Sequence, residues 1–162
     1  MRKSVIVSNR LPLQISKLEN SFLFQPSSGG LATGLDSVHK NNDSIWIGWS
    51  GITSDELTKK NKLEIKNTLD DLRLVEVELN QKEVDEFYHG LSNKCIWPLF
   101  HYFIELAKFN ENDWLTYVDV NKKFCEKVIQ NTEQNGVVWV HDYQLMLLPK
   151  LIKEKRPDLT IG

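Results

Sequence analysis

VVWVHDYQLMLLP, residues 137 to 149, decides how the rest of the chain is read. Val137, Val138, Trp139 and Val140 follow the Asn135-Gly136 break without a charge among them, as in a strand buried on both faces. His141, Asp142 and Tyr143 come next, where such a strand should end. From Gln144 to Lys153 the apolar residues Leu147, Leu148, Leu151 and Ile152 return at helical spacing, with Pro149 acceptable only in the first turn of that helix. A buried strand, a short polar loop and a helix make up the repeating unit of a parallel sheet.

The same unit recurs outward from this point. Val5, Ile6 and Val7 form a short uncharged strand that runs into Ser8-Asn9-Arg10-Leu11-Pro12. LQISK and SFLFQ flank Leu18-Glu19-Asn20 as a hairpin, and Gly29-Gly30 precede a helix carrying Leu31, Leu35 and Val38. SIWIGWSG, residues 44 to 51, is a strand closing in a glycine turn. Thr53 with Glu56, and Asn80 with Glu83, have the spacing of reciprocal helix caps, so a helix is expected after each. LRLVEVEL between them is a strand, and Glu76 and Glu78 give it one wet face, as at a sheet edge. Val84, Phe87, Tyr88 and Leu91 share a stripe of the helix from Gln81, and a further helix spans about residues 113 to 130. The last four residues begin another strand, so the chain is expected to be a fragment of a longer protein.

This alternation predicts an α/β fold built on a parallel, doubly wound sheet, with flanking helices and a small β-hairpin insertion. Ligands of such sheets gather beyond the carboxyl ends of the strands. Three unusual clusters fall there: Ser8-Asn9-Arg10, Gly48-Trp49-Ser50-Gly51 and His141-Asp142-Tyr143.

Composition narrows the function classes. The 162 residues are 41% hydrophobic and 26% charged, ordinary for a globular domain. Twenty Lys and Arg against 22 Asp and Glu leave a net charge of −2, without the basic excess of a nucleic-acid binder. Cys95 and Cys125 have neither disulfide-framework nor zinc-site spacing, so no metal or cofactor is expected. The N-terminus lacks a signal-peptide core, and no apolar run is long enough for a membrane span, so the expected setting is cytoplasmic, away from membranes and nucleic acid.

VIVSNRLP, SSGGLATGL, WIGWSG, FYHGLSNKCIWPLFHY, the Trp114-to-Phe124 pattern and VVWVHDYQLMLLP occur in the order and spacing of the trehalose-6-phosphate synthases, which the chain resembles over essentially its whole length. The resemblance implies a retaining glycosyltransferase of the two-domain GT-B type, moving glucose from UDP-glucose to glucose 6-phosphate. Residues 1 to 162 would be an incomplete N-terminal, Rossmann-like, acceptor-binding domain. Its partner would be a C-terminal donor-binding domain of the same chain, absent here, and the fragment alone would be inactive.

The resemblance also assigns residues. Arg10 would grip the acceptor's phosphate through its planar fork of donors. Gly29 and Gly30 would bare backbone amides beside the donor diphosphate. Tyr88, which its stripe alone would place in the core, and Trp97, which would otherwise be packing, would contact glucose 6-phosphate. Trp49 is taken as the acceptor-site tryptophan and Trp46 as core. Asp142 is taken as a partly buried carboxylate that orients the acceptor at the reacting centre, its bland alternative being a helix cap. His141 is not assigned as a base, since the family's catalytic histidine belongs to a later motif. Gln144 departs from the family, where histidine is more frequent.

A double-displacement glycosidase needs two carboxylates, and only Asp142 stands at the expected site. The resemblance instead implies front-face transfer, in which the leaving diphosphate helps deprotonate the incoming hydroxyl. Two rivals remain. A catalytically inactive, synthase-like sugar-phosphate-binding or regulatory module is disfavoured by intact Arg10, Tyr88, Trp97 and Asp142. A dinucleotide enzyme would want a GxGxxG turn after the first strand, which SNRLPL does not supply.

Overall fold

A computed structural model of the chain describes residues 4–19, 21–41 and 43–162. Five parallel strands form one sheet in the order β5-β4-β1-β6-β7: β1 Ser4–Arg10, β4 Ile45–Trp49, β5 Leu74–Glu76, β6 Val137–Val140 and β7 Thr160–Ile161. The antiparallel hairpin of β2 (Leu13–Lys17) and β3 (Phe22–Pro26) is inserted after β1. From β1 the chain builds outward through β4 to β5, then crosses back to add β6 and β7 on the other side. The direction reverses between β1 and β6, and there the carboxyl ends of adjacent strands diverge into a crevice. SNR ends β1 and HDY follows β6, the two strands that flank it.

Alternation along β1 sends Val5 and Val7 to one face and Ile6 to the other, which produces two cores. Val5, Val7, Ile47, Trp49 and Val138 pack with Phe87, Tyr117, Phe124, Val128 and Ile152 of the segments after β5 and β6. Ile6, Trp46 and Leu74 pack with Leu35 of α1 (Gly30–Asn41), with Ile65 and Leu69 of α2 (Lys59–Asp71), and with Leu11 and Ile15 near the hairpin. Trp46 is fully buried, as a core residue should be, and its indole N–H donates to Ser8 Oγ at 2.8 Å.

Three local expectations are corrected. The helix after Thr53 does not start there: Ser54–Glu56 is a single 3-10 turn, and Thr53 bonds the Glu56 side chain instead of a backbone amide. The reciprocal cap is formed five residues later, where Thr58 accepts from Asn61 N and Asn61 Oδ1 accepts from Thr58 N. Of LRLVEVEL only Leu74–Glu76 pairs as a strand, at the sheet edge. After β6 the chain makes a 3-10 turn, Tyr143–Leu145, and α6 spans Leu148–Lys155 with Pro149 in its first turn.

The Asn80–Glu83 cap forms as expected, each side chain accepting from the other's backbone N–H. Beyond the short α3 (Gln81–Glu83) the helix widens into a π-helix over Val84–Ile96 before α4 (Trp97–Phe100). The long α5, Glu111–Asn131, is capped by Asn110 and covers the same face of the sheet.

Candidate active-site cleft

β1 carries a bulge that determines what Arg10 does. Val7 pairs with Ile47 but Arg10 pairs with Trp49, so three steps on β1 match two on β4. The extra residue turns Arg10 onto the face of Trp49. Its guanidinium carbon lies 4.1 Å from the Trp49 ring centroid and 5.7 Å from that of Tyr88, within range of cation–π attraction. Ser8 Oγ donates to Arg10 O at 2.6 Å and closes the bulge. Two glycines make room for this arrangement. A Cβ on Gly48 would lie 2.8 Å from Leu11 N and 2.9 Å from both Arg10 C and Ser8 O, and one on Gly51 (φ 96°) would meet Arg10 Nη1 at 2.6 Å. Burial lowers the Arg10 pKa, with Tyr88 opposing the shift; the group stays cationic at neutral pH.

Arg10 opens onto a cleft of about 440 Å³ beyond the ends of β1 and β6, whose wall includes Asn9, Ser28, Gly29, Gly30, Tyr88, Asp142 and Gln144. A larger cavity of about 650 Å³ lies behind α1, between the hairpin and the end of α2. We place the chemistry in the smaller one, because it alone gathers the strand-end clusters on both sides of the switch point. Gly29 and Gly30 stand at the start of α1, whose first amides have no helical carbonyl to bond and so suit an anion.

Tyr88 is half-buried on the π-helix. Val84, Phe87 and Leu91 are buried in the core, while Tyr88 reaches the cleft with its ring edge-on to Trp49 at 6.4 Å. Trp49 stands one layer behind. It is buried, and its indole N–H already donates to Ile52 O at 2.8 Å, so it supports Arg10 from below and is not among the cleft residues. Trp97 is also outside the cleft wall. It is half-exposed, stacks on His101 at 3.8 Å between centroids, and lies 5.5 Å from the Tyr143 ring. Tyr143 donates its hydroxyl to Asn93 Oδ1 at 2.9 Å, and burial beside Asp142 pushes its pKa up to about 12.

Asp142 is exposed at the rim, which corrects the expectation of a partly buried carboxylate. Strand β6 ends at Val140, and Asp142 takes φ 77° and ψ 163°, a conformation that only glycine adopts readily. That turn lifts the carboxylate clear of the strand. Oδ1 accepts from Tyr143 N at 2.9 Å, so Asp142 caps the 3-10 turn, and among the described residues its other oxygen accepts no hydrogen bond. His141 is half-buried, with Nε2 unpartnered and its pKa lowered by burial.

A family model described as glycosyltransferase family 20 matches residues 2–162. The chain belongs to glycosyltransferase family 20. It is 38% identical over 167 residues to the α,α-trehalose-phosphate synthase (UDP-forming) of Candida albicans, covering 99% of this chain and 34% of that protein. It is 40% identical over 160 residues to the trehalose-6-phosphate synthase of Mycobacterium leprae, covering 98% and 32%. Among solved structures of like fold are an α,α-trehalose-phosphate synthase (UDP-forming) from Burkholderia xenovorans in complex with glucose-6-phosphate (TM-score 0.69, 25% identity, 99% of this chain and 32% of that one) and an E. coli structure bound with UDP-2-fluoro glucose (TM-score 0.69, 27% identity, 94% and 30%). This family 20 chain therefore spans about a third of the length of the curated relatives it matches. Of the residues singled out in the sequence, Arg10, Gly29, Gly30, Tyr88 and Asp142 line one cleft. It gave no role to Asn9 or Gln144; the only signal was their position at the ends of β1 and β6.

Proposed function

We propose that the chain is the acceptor-binding part of a trehalose-6-phosphate synthase, which transfers glucose from UDP-glucose to glucose 6-phosphate in the cytoplasm. The observation that carries this reading is the convergence of Arg10, Tyr88 and Asp142 on one cleft at the switch point. Arg10 takes the acceptor's phosphate: it is a half-buried cation held on an aromatic platform in the wall of the cleft. Asp142 accepts hydrogen bonds from sugar hydroxyls through the carboxylate edge left open by its cap, and so orients the attacking hydroxyl. The amides at the start of α1 face the donor diphosphate at Gly29-Gly30. Trp97, stacked near Tyr143, closes the sugar's side of the site. The part of the relatives' length with no counterpart here would carry the donor-binding domain, and residues 1 to 162 without it would release no UDP. That the relatives are named synthases, and that one solved neighbour holds glucose-6-phosphate, supports the reading.

The test is Arg10→Ala in the protein at its natural length. A charge-assisted hydrogen bond contributes about 1.5–3 kcal/mol, so kcat/KM for glucose 6-phosphate should fall by roughly one to two powers of ten. Unphosphorylated glucose should be a poor acceptor before and after. An equal loss with both acceptors would show that Arg10 only supports the fold.

A further inference from the structure

The hairpin insertion brings to the cleft a side chain that the fold itself leaves unused. Gln14 lies on β2, where Ile15 turns inward and is buried while Gln14 stays exposed and lines the cleft. Among the described residues its carboxamide makes no hydrogen bond. Other neutral polar groups of the same wall are already committed: Ser8 Oγ donates to Arg10 O at 2.6 Å and Ser27 Oγ to Leu11 O at 2.8 Å. Asn9 and Gln144 are buried, whereas the amide of Gln14 is open to whatever enters.

Its place beside Arg10 is built into the backbone. Gly51 follows β4 with φ 96°, and two side chains converge over its bare Cα: a Cβ there would lie 2.6 Å from Arg10 Nη1 and 3.2 Å from Gln14 Cγ. The guanidinium and the stem of the carboxamide therefore share one spot on the cleft wall. The base of the hairpin is pinned to the same turn. Leu11 N donates to Trp49 O and Ile15 N to Ser50 O, each at 2.9 Å, and Ser27 N ties the returning strand to Pro12 O at 2.8 Å. A binding group carried on a pinned backbone has only its outer torsions left to order when a ligand arrives.

A phosphate monoester presents three terminal acceptor oxygens, and the planar fork of one arginine covers two of them. We propose that Gln14 completes the phosphate subsite, its carboxamide N–H donating to a terminal oxygen of the phosphate that Arg10 holds. This rests on the reading of the cleft as a sugar-phosphate site. A neutral donor suits the position. A second cation there would repel Arg10 whenever no anion is bound, whereas an amide adds two N–H groups and no charge.

The experiment is calorimetric titration of the protein at its natural length with glucose 6-phosphate. Wild type is compared with Gln14→Leu, which loses the donor, and with Gln14→Glu, which keeps the length but only accepts and carries a negative charge. Gln14→Leu should bind about tenfold more weakly, a typical cost of a lost hydrogen bond to a charged group, and Gln14→Glu more weakly still. Melting temperatures should match wild type, since Gln14 is exposed and its side chain makes no hydrogen bond. The order of the two variants tells phosphate from sugar: a carboxylate would accept a bond from a sugar hydroxyl at least as well as the amide does, so Gln14→Glu binding more tightly than Gln14→Leu overturns the proposal. Unchanged binding by Gln14→Leu overturns it too, as does weakening that appears only with a lowered melting temperature. If Arg10→Ala weakens binding while the Gln14 variants do not, the sugar-phosphate site stands and only the role of Gln14 falls. If wild type does not bind glucose 6-phosphate, both readings fall together.

Discussion

Gly48→Ala should damage the cleft from a position outside its wall. Gly48 is buried in β4 beneath the bulge of β1, and a methyl there would stand 2.8 Å from Leu11 N and 2.9 Å from Arg10 C and Ser8 O. Carbon packs comfortably at about 3.5–4.0 Å from such atoms, so the overlap is most of an ångström against both the Arg10–Leu11 peptide and Ser8 O. All three neighbours are backbone, which cannot rotate away as a side chain can. The bulge must lift, and with it the Leu11 N to Trp49 O bond of 2.9 Å that ties its far end to β4. Overpacking of a rigid core costs about 1–3 kcal/mol. In a chain of this size that corresponds to a melting temperature lower by about 2–12 °C. Because Arg10 rides on the bulge, affinity for glucose 6-phosphate should fall by more than the stability loss alone would produce. Thermal unfolding followed by circular dichroism, with calorimetric titration at a temperature where the variant is fully folded, measures both. Gly34→Ala is the control, since nothing lies within 4 Å of a Cβ there and Gly34 is outside the cleft wall. A Gly48→Ala protein that melts and binds like wild type would refute the account of the bulge.

Two further outcomes are expected. Asp142→Gly releases a strained backbone worth about 1–3 kcal/mol, which offsets the lost cap to Tyr143 N; thermal stability should be unchanged or higher while turnover falls at least about tenfold, and a clear loss of stability would show that the residue serves the fold alone. The folded-state pKa of His141 is depressed by burial, so the unfolded chain takes up its proton first. Its contribution to stability is present above the unfolded value of about 6.5 and is lost as pH falls through the folded one, so urea midpoints should decline from about pH 7.5 to 5, and the His141→Gln variant should decline less.

The candidate site was legible in pieces. Arg10, Gly29, Gly30, Tyr88 and Asp142 share a cleft because polar residues at the ends of adjacent strands converge, and strand ends are readable from uncharged runs that stop at a polar cluster. Trp49 and Trp97 were not separable from cleft residues by sequence. Both lie near the site, but whether an indole faces a ligand or props up another side chain depends on which neighbour takes its N–H, and for Trp49 that neighbour is Ile52 O. The π-helix that brings Tyr88 to the cleft leaves no mark in FYHGLSN, since the same apolar stripe fits an α-helix. Thr53 misled because a capping pattern reports that a helix could start, not that the following residues continue it.

By itself the sequence determined the parallel α/β character, the hairpin insertion and the burial of Trp46. These follow from local causes: uncharged strand runs, polar turns, and residues spaced for one face. What only the tertiary structure decided is where Arg10 points. Alternation along an unbroken β1 would have put Arg10 on the face of Ile6, away from Trp49 and Tyr88. One extra residue between Val7 and Arg10 reverses that, and the bulge is recorded in no residue of β1 but in the bare Cα of Gly48 on the neighbouring strand, beneath which no side chain could fit.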